Sequence, residues 1–206
     1  GHFYHTNFRE GHALGITSYL PSDLHNYMSL RTAYKPNNVF IAKVTDMDEN
    51  GNFQIPYCQM FEREALACAK TVILEINPRF RRVRGGVEIP IERVTCCYTA
   101  DSPILTIPRS KPSPTDEAIG AYIADMIHDG DTFQLGIGGL PDAVGKHLFA
   151  RNDLGIHSEL FSSTMADLIE QGNVTGRYKT VDPGESIACF ALGDDHLYKT
   201  LSETPS

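Results

Sequence analysis

The sequence predicts an α/β protein built from open, mostly parallel sheets with helices on their flanks. Short apolar runs of strand length alternate with helical patterns, most regularly beyond residue 110, and glycine, proline and asparagine separate them. Parallel strands need a crossover between them, which is usually a helix. This alternation therefore predicts right-handed β-α-β units.

The first hundred residues contain three predicted strands and a helix. Residues 38–45 form an apolar strand, and residues 52–57 are predicted to return beside it as a hairpin, because Asn50-Gly51 is a strong turn signal. Residues 61–70 have a helical pattern. Residues 71–76 are predicted to be a buried strand that Asn77-Pro78 ends.

A boundary is predicted near residues 108–114, where three prolines and two serines occur within seven residues. Beyond it, a helix capped by Ser113 or Thr115 is predicted to run to Asp129-Gly130. Its apolar residues recur at helical spacing: Ile119, Tyr122, Ile123, Met126 and Ile127. The remaining elements alternate: a strand at 132–137, a helix from about Pro141-Asp142, a strand at 154–158, a helix at 164–170 and a strand at 186–192.

Composition excludes several classes of protein. The chain has 206 residues, of which 41% are apolar and 21% charged, as in an ordinary globular protein. The net charge of −8 argues against nucleic-acid or anionic-membrane partners, and no apolar run is long enough to span a bilayer. The chain opens without a methionine or a leader pattern, which suggests a piece of a longer cytoplasmic protein.

Five cysteines leave an odd number and form no pairing pattern, so we expect them to be reduced and mostly buried. Arginine is concentrated at Arg79, Arg81, Arg82 and Arg84, just before Gly85-Gly86. A solvated loop between strands is the favoured interpretation, and a loop that grips the phosphates of an anionic cofactor is the alternative.

The most informative segments are a glycine loop at residues 136–139 and Glu159, which follows the strand predicted at 154–158. In a parallel sheet both would lie at the carboxyl edge, where ligands bind, about 5 Å apart across neighbouring strands. The glycines would let an oxyanion approach backbone N–H groups. The alternatives are a tight structural turn and a carboxylate near a helix cap, and the residues alone leave both open.

Other motifs are weaker, and no metal site is predicted. The pattern Asp46-x-Asp48-x-Asn50-Gly51 imitates the start of an EF-hand loop, but strands flank it and Tyr57 stands at the twelfth position. His2, His5 and His12 have no carboxylate or cysteine at ligand spacing. His157, Ser158 and Glu159 are consecutive in a strand, so their side chains alternate between faces and do not form a hydrolase triad.

The segments Gln134-Leu-Gly-Ile-Gly-Gly-Leu-Pro-Asp-Ala-Val144 and Leu154-Gly-Ile-His-Ser-Glu-Leu-Phe-Ser162 closely resemble the acetyl-CoA hydrolase/transferase family. Weaker resemblance extends over most of the chain. It implies a two-domain CoA-transferase fold that is present here in part. Residues 1–108 would be the C-terminal part of the first domain, and residues 109–206 the N-terminal part of the second.

The resemblance also implies residue roles. Glu159 would be the nucleophile, and the oxyanion and substrate would be bound by Gln134, Gly136, Gly138 and Gly139. The implied reaction is a ping-pong transfer of CoA between short-chain carboxylic acids through a glutamyl-CoA thioester. The family typically has Ser-Asp-Gly where this chain has Ser162-Ser163-Thr164, a departure that bears on the local turn.

These implications set the remaining expectations. CoA would be a substrate rather than a permanently bound cofactor, the other partner would be a small carboxylic acid such as acetate, butyrate or 4-hydroxybutyrate, and the assembly would be a homodimer or homotetramer. One alternative is a short-chain acyl-CoA hydrolase, in which water resolves the intermediate. The alternative from another class is a noncatalytic CoA-binding or assembly module in which Glu159 is a structural cap.

Overall fold

The computed structural model describes residues 6–203, apart from the side chain of Asn7, and it is an α/β structure with mostly parallel sheets, as predicted. The strands are β1 Val39–Val44, β2 Asn52–Ile55, β3 Thr71–Ile76, β4 Val87–Pro90, β5 Cys96–Thr99, β6 Thr132–Phe133, β7 Gly155–Phe161 and β8 Ile187–Ala191. The α-helices are α1 Arg9–Ala13, α2 Tyr27–Tyr34, α3 Glu62–Cys68, α4 Pro114–Asp125, α5 Gly139–His147, α6 Ser163–Glu170 and α7 Asp195–Glu203.

The first parallel sheet has the strand order β1-β3-β5, with Val39 beside Thr71 and Ile73 beside Cys96. Side chains alternate between its two faces, as the strand period requires. Val72 and Leu74 on one face are almost completely buried. On the other face Ile41 is 66% exposed, so this sheet is covered on one side only within residues 6–203.

The predicted hairpin between residues 38–45 and 52–57 is wrong. Its turn does form: Gly51 has φ +80°, and the Asp48 carboxylate accepts hydrogen bonds from the backbone N–H groups of Asn50 and Asn52. The strand after the turn, however, pairs antiparallel with β4, which places Phe53 opposite Ile89. Both side chains are buried there, so the burial offered by a distant strand determined the pairing.

The second parallel sheet has the order β6-β7-β8 and packs against helices α4 to α7. Its core contains completely buried side chains from strand and helix alike: Leu148, Leu154, Ile156, Met165, Ala166, Leu168 and Leu197. No helix among residues 6–203 is long and apolar enough to cross a membrane.

Helix α4 differs from its prediction. Ser113 caps it as expected and forms a reciprocal capping box with Asp116, but the helix ends at Asp125 rather than near Asp129. Its large apolar side chains do not form the packed face, since Tyr122 is 76% and Met126 is 75% exposed. Gly120 packs on α5 instead, where an added Cβ would lie 2.9 Å from that of Ala143. Small residues determine the packing here because they let two helices approach closely.

The cysteines are all free, but they are not mostly buried as predicted. Cys96 and Cys97 are exposed on β5, an edge strand of the first sheet. Cys58, Cys68 and Cys189 are half-buried. Sequence alone could not distinguish an edge strand from a central one, and β5 has a strand neighbour on one side only.

At two places among residues 6–203, backbone hydrogen bonds hold the first part of the chain against the second. The segment 57–59 runs antiparallel along β8: the N–H of Gln59 donates to the Cys189 carbonyl, and the N–H of Ala191 donates to the Tyr57 carbonyl, both at 2.9 Å. The irregular segment 100–113 also docks, because the N–H of Ile107 donates to the Gly193 carbonyl at 2.9 Å. The domain boundary predicted near residue 108 falls within this segment, and the division itself stays a proposal.

We expect Leu74→Ala to destabilise the protein by about 2–5 kcal/mol, because Leu74 is completely buried and its truncation leaves a cavity. Ile41→Ala, on the exposed face of the neighbouring strand, is the matched control and should cost less than about 1 kcal/mol. Urea denaturation measures both free energies of unfolding. Equal losses would contradict the assignment of the buried face.

Candidate active site on the open face of the second sheet

Glu159 lies inside β7, and the prediction that it follows the end of a strand at residue 158 is wrong. The strand continues through Leu160 and Phe161, which pair with Phe190 and Ala191 of β8. Both extra residues are buried, so tertiary burial extends the strand beyond the predicted end. The carboxylate therefore projects from a sheet face rather than from the carboxyl edge.

The register of the second sheet places several predicted site residues on one face. Thr132 pairs with Gly155 and Phe133 with Ile156, and extending this register sets Gln134 beside His157 and Gly136 beside Glu159. The hydroxyl of Ser158, which donates to the Leu135 carbonyl at 3.4 Å, supports the extension. Along both segments burial alternates. Gln134, Gly136, His157 and Glu159 are exposed, whereas Leu135 and Ser158 on the opposite face are buried. We call the exposed side the open face.

No hydrogen bond or ion pair holds the Glu159 carboxylate within the part of the chain that the structure describes. Nearby acids differ: Asp167 and Asp194 are both bound by the guanidinium of Arg109. Helix α6 is capped by Ser162, whose hydroxyl accepts from the N–H of Met165. The interpretation of Glu159 as a helix cap is therefore wrong, and its carboxylate has no structural role in the described contacts.

We call β6 together with its continuation to residue 136 the β6 segment. The glycine loop connects the end of the β6 segment to α5. Gly138 has φ +119° and ψ 179°, a backbone conformation that only glycine adopts readily. An added Cβ would meet nothing within 4 Å at Gly138 and only the Pro141 ring at 3.9 Å at Gly136, so both positions border open space. Helix α5 begins at Gly139, two residues before the predicted start at Pro141.

Gly139 faces the protein rather than open space. A Cβ there would lie 2.8 Å from the Asp116 carboxylate and 3.4 Å from the backbone of Pro112. The structure thus gives Gly139 a packing reason to be glycine. Gln134, Gly136 and Glu159 come together on the open face, and Gly138 lies at the adjoining helix start.

A cleft of about 350 Å³ does lie at the carboxyl ends of the second sheet's strands, where the sequence predicted a ligand crevice. Its walls come from the loops after each strand and from the segment 107–110. The polar side chains inside it are already engaged. Asp142 accepts from the Thr164 hydroxyl at 3.2 Å, and the Ser163 hydroxyl donates to Asp194 at 2.8 Å. Glu159 does not line this cleft.

A second cavity, of about 300 Å³, lies between the segment 57–59 and β8. Cys189 lines it and occupies the register position beside Glu159, because Ala188 pairs with Ser158 and Phe190 with Leu160. Burial raises the pKa of the Cys189 thiol, and the negative charge of Glu159 raises this pKa further. The two side chains are thus electrostatic neighbours, and Cys189 belongs to the site although no sequence motif pointed to it.

The arginine-rich loop favours the simpler of its two interpretations. Arg82 forms ion pairs with Asp48 at 3.1 Å and Glu88 at 2.5 Å, and Arg84 pairs with Glu185 at 2.5 Å. Arg79 pairs with Asp101. Carboxylates of the protein thus pair with the guanidinium groups of three of the four arginines; for Arg81 the described contacts include no ion pair.

The described residues contain no cluster of three or more potential metal ligands. In the EF-hand-like segment, Asp48 is committed to turn amides and to Arg82. His2 and His5 lie outside the described residues.

The fold and the open face define the class of protein: a parallel α/β structure of the CoA-transferase type with a carboxylate free on a sheet strand. No protein-family model matches the chain. Curated proteins do match it in sequence. A succinyl-CoA:cyclohexane-1-carboxylate CoA transferase from Geobacter metallireducens is 36% identical over 96% of this chain, and a 4-hydroxybutyrate coenzyme A transferase from Clostridium kluyveri is 31% identical over 93%.

Solved structures agree. RipA from Yersinia pestis superposes with a TM-score of 0.89 at 32% identity over 96% of this chain. A 4-hydroxybutyrate CoA-transferase from Porphyromonas gingivalis gives 0.85 at 29% identity over 98%. The resemblance found in the sequence is confirmed, since the homologues of this chain are CoA-transferases. The chain spans about half of their length: 45% of both curated relatives, and 47% and 52% of the two solved chains.

We expect Gly138→Ala to destabilise the protein by about 1–3 kcal/mol, because an alanine is strained at φ +119° whatever space surrounds it. Gly136→Ala is the control within the same loop, since its Cβ would have room. Thermal unfolding monitored by circular dichroism compares the two variants. A loss at Gly136 equal to that at Gly138 would contradict the strained conformation.

We expect Cys58 to resist alkylation up to strongly alkaline pH. Burial and the hydrogen bond from its thiol to the Glu62 carboxylate, at 3.1 Å, raise the pKa of Cys58 to about 12. The thiolate is the reacting form and is therefore scarce until the pH approaches that value. Iodoacetamide labelling followed by peptide mass spectrometry should modify the exposed Cys96 first. Modification of Cys58 ahead of Cys96 at pH 8 would contradict this ordering.

Proposed function

We propose that the protein containing this chain transfers CoA from an acyl-CoA to a small carboxylic acid, with Glu159 as the nucleophile. The single observation that carries the proposal is the Glu159 carboxylate itself, exposed on a rigid central strand and bound by no described side chain. A carboxylate held by an arginine or by a helix end would lose nucleophilicity, and Glu159 has neither. Its position beside Gly136 and near Gln134 adds groups that can bind a carbonyl oxygen.

The proposed reaction runs in two halves. Glu159 attacks the acyl-CoA carbonyl, which gives a mixed anhydride and CoA thiolate. The thiolate attacks the glutamyl carbonyl of the anhydride, the acid leaves as a carboxylate, and a glutamyl-CoA thioester remains. An incoming carboxylate then takes the CoA by the same steps in reverse, and the Glu159 carboxylate is regenerated.

The glycine loop is proposed to stabilise the oxyanions that form in each attack. Open space at Gly136 and Gly138 lets a substrate oxygen reach backbone N–H groups, and the start of α5 adds the positive end of a helix dipole. The Gln134 amide is proposed to contact the thioester or acyl oxygen. For Gly139 the packing against Asp116 supports a role in shaping the loop rather than in binding.

Several expectations accompany this proposal. CoA is a substrate and not a permanently bound group, the acid is short-chain, and the assembly is a homodimer or homotetramer. The division at residue 108 into parts of two domains and the cytoplasmic location remain predictions. Hydrolysis of the glutamyl intermediate by water is the alternative reaction at the same residue.

Glu159→Ala should lower the transferase rate by at least about 10³-fold, because the covalent intermediate cannot form. Glu159→Asp should lower it by about 10²-fold, because one methylene fewer misplaces the attacking oxygen by about 1 Å. Glu92→Ala removes another exposed glutamate, on the first part of the chain, and should leave the rate unchanged. The assay is CoA transfer from butyryl-CoA to acetate by the full-length protein, because this chain spans about half of its relatives.

Mass spectrometry after hydroxylamine or borohydride trapping tests the intermediate directly. Treatment with butyryl-CoA should modify the peptide that carries Glu159 and leave the Glu159→Ala variant unmodified. Full turnover by Glu159→Ala would refute the assignment and favour a noncatalytic module. Release of CoA that acetate does not accelerate would favour the hydrolase.

A further inference from the structure

His157 is a second functional side chain on the open face. It is exposed and lies two residues before Glu159 on the same strand, so both side chains project from the same side of the sheet. Their Cα atoms are about 6.6 Å apart at the usual rise of a strand. This spacing leaves room for a carboxylate group between the two side-chain ends.

The surroundings of His157 differ from those of the other histidines near the second sheet. His128 faces Asp131 at 3.6 Å, His147 faces Glu117 at 3.7 Å, and His196 faces Glu170 at 3.1 Å. For His157 the described residues provide neither a hydrogen bond nor an ion pair. Its ring N–H therefore remains available to a ligand, whether the imidazole is neutral or charged.

The neighbour of His157 across the sheet is also a donor. The register that pairs Thr132 with Gly155 sets the exposed Gln134 beside His157, about 4.8 Å away between strands. An amide N–H₂ and an imidazole N–H thus stand side by side, one step along the sheet from Glu159 and Gly136. Two neutral or positive donors next to a reacting carbonyl suit a ligand with a carboxylate.

We propose that His157, together with Gln134, binds the carboxylate of the acid substrate while that acid reacts at Glu159. The inference rests on the proposed function and assigns its acid subsite. One carboxylate oxygen accepts hydrogen bonds from His157 and Gln134, and the other attacks the carbonyl carbon of glutamyl-CoA. The C–S bond breaks and CoA leaves as its thiolate. The thiolate then attacks the acyl carbonyl of the mixed anhydride, the C–O bond to Glu159 breaks, and its carboxylate is restored.

The subsite would hold and orient the acid while it attacks glutamyl-CoA. Glu159 carries no charge as a thioester, so the incoming acid brings the single negative charge, which moves onto the carbonyl oxygen as the new C–O bond forms and leaves with the CoA thiolate. Donors fixed on the neighbouring position hold the charged acid against the neutral thioester and orient its attacking oxygen. By microscopic reversibility the acid released in the first half of the reaction leaves from the same subsite.

The test uses the full-length protein with butyryl-CoA and acetate. His157→Ala should raise the KM for acetate by about 10-fold to 100-fold, the usual worth of a hydrogen bond to a charged group. Inhibition by butyrate as a product should weaken by a similar factor. His157→Gln keeps an N–H donor of similar reach and should recover part of the loss. His128→Ala is the matched control, since His128 is exposed but lies outside the open face.

A neutral nucleophile separates this subsite from a merely structural role. Hydroxylamine reacts with glutamyl-CoA without a carboxylate, so its inactivation of the enzyme in the presence of butyryl-CoA should keep the wild-type rate within about twofold in His157→Ala. An unchanged KM for acetate, or an equal rise in the KM for butyryl-CoA, would overturn the subsite. If the wild-type protein forms no Glu159 adduct with butyryl-CoA, the proposed function fails first, and the trapping experiment identifies that case.

Discussion

The parallel register of β7 between the β6 segment and β8 is the constraint on which the site depends. Extended beyond the paired residues, it places Glu159 between Gly136 on one side and Cys189 on the other, with His157 and Gln134 one step along the sheet. A shift of β7 by one residue would move Glu159 and His157 to the opposite face, because the side-chain period of a strand is two. Ile156, completely buried in the core that the helices cover, and the buried Ser158 favour this register.

The open face of the second sheet carries exposed side chains that can bind or react with a substrate. The uncovered face of the first sheet is instead apolar around Ile41. Parallel sheets normally have both faces covered. The chain spans about half the length of its CoA-transferase relatives. The open face of the second sheet is the candidate active site because of the functional groups that it carries, and not because of its area.

The first part of the chain holds the second through backbone hydrogen bonds and through side-chain contacts such as the ion pair of Arg84 with Glu185. Segment 57–59 pairs antiparallel with the edge of β8. Arg109, from the connecting segment, binds Asp167 within α6 and Asp194 directly before α7. These contacts hold the carboxyl end of the second sheet in place. The antiparallel pairing of segment 57–59 with β8 also explains why Cys189, a residue without any motif, borders both the cavity between these two segments and the open face.

Local pattern alone determined the parallel α/β class, the strand Thr71–Ile76, the Ser113 cap and the two segments that carry Glu159 and the glycine loop. Each depends on residues adjacent in sequence, and the family resemblance added the role of Glu159. Tertiary structure decided the rest: the partner of β2, the end of β7, the outward side chains of α4 and the exposure of Cys96. Those features depend on which distant surface offers burial, and no local pattern contains that information.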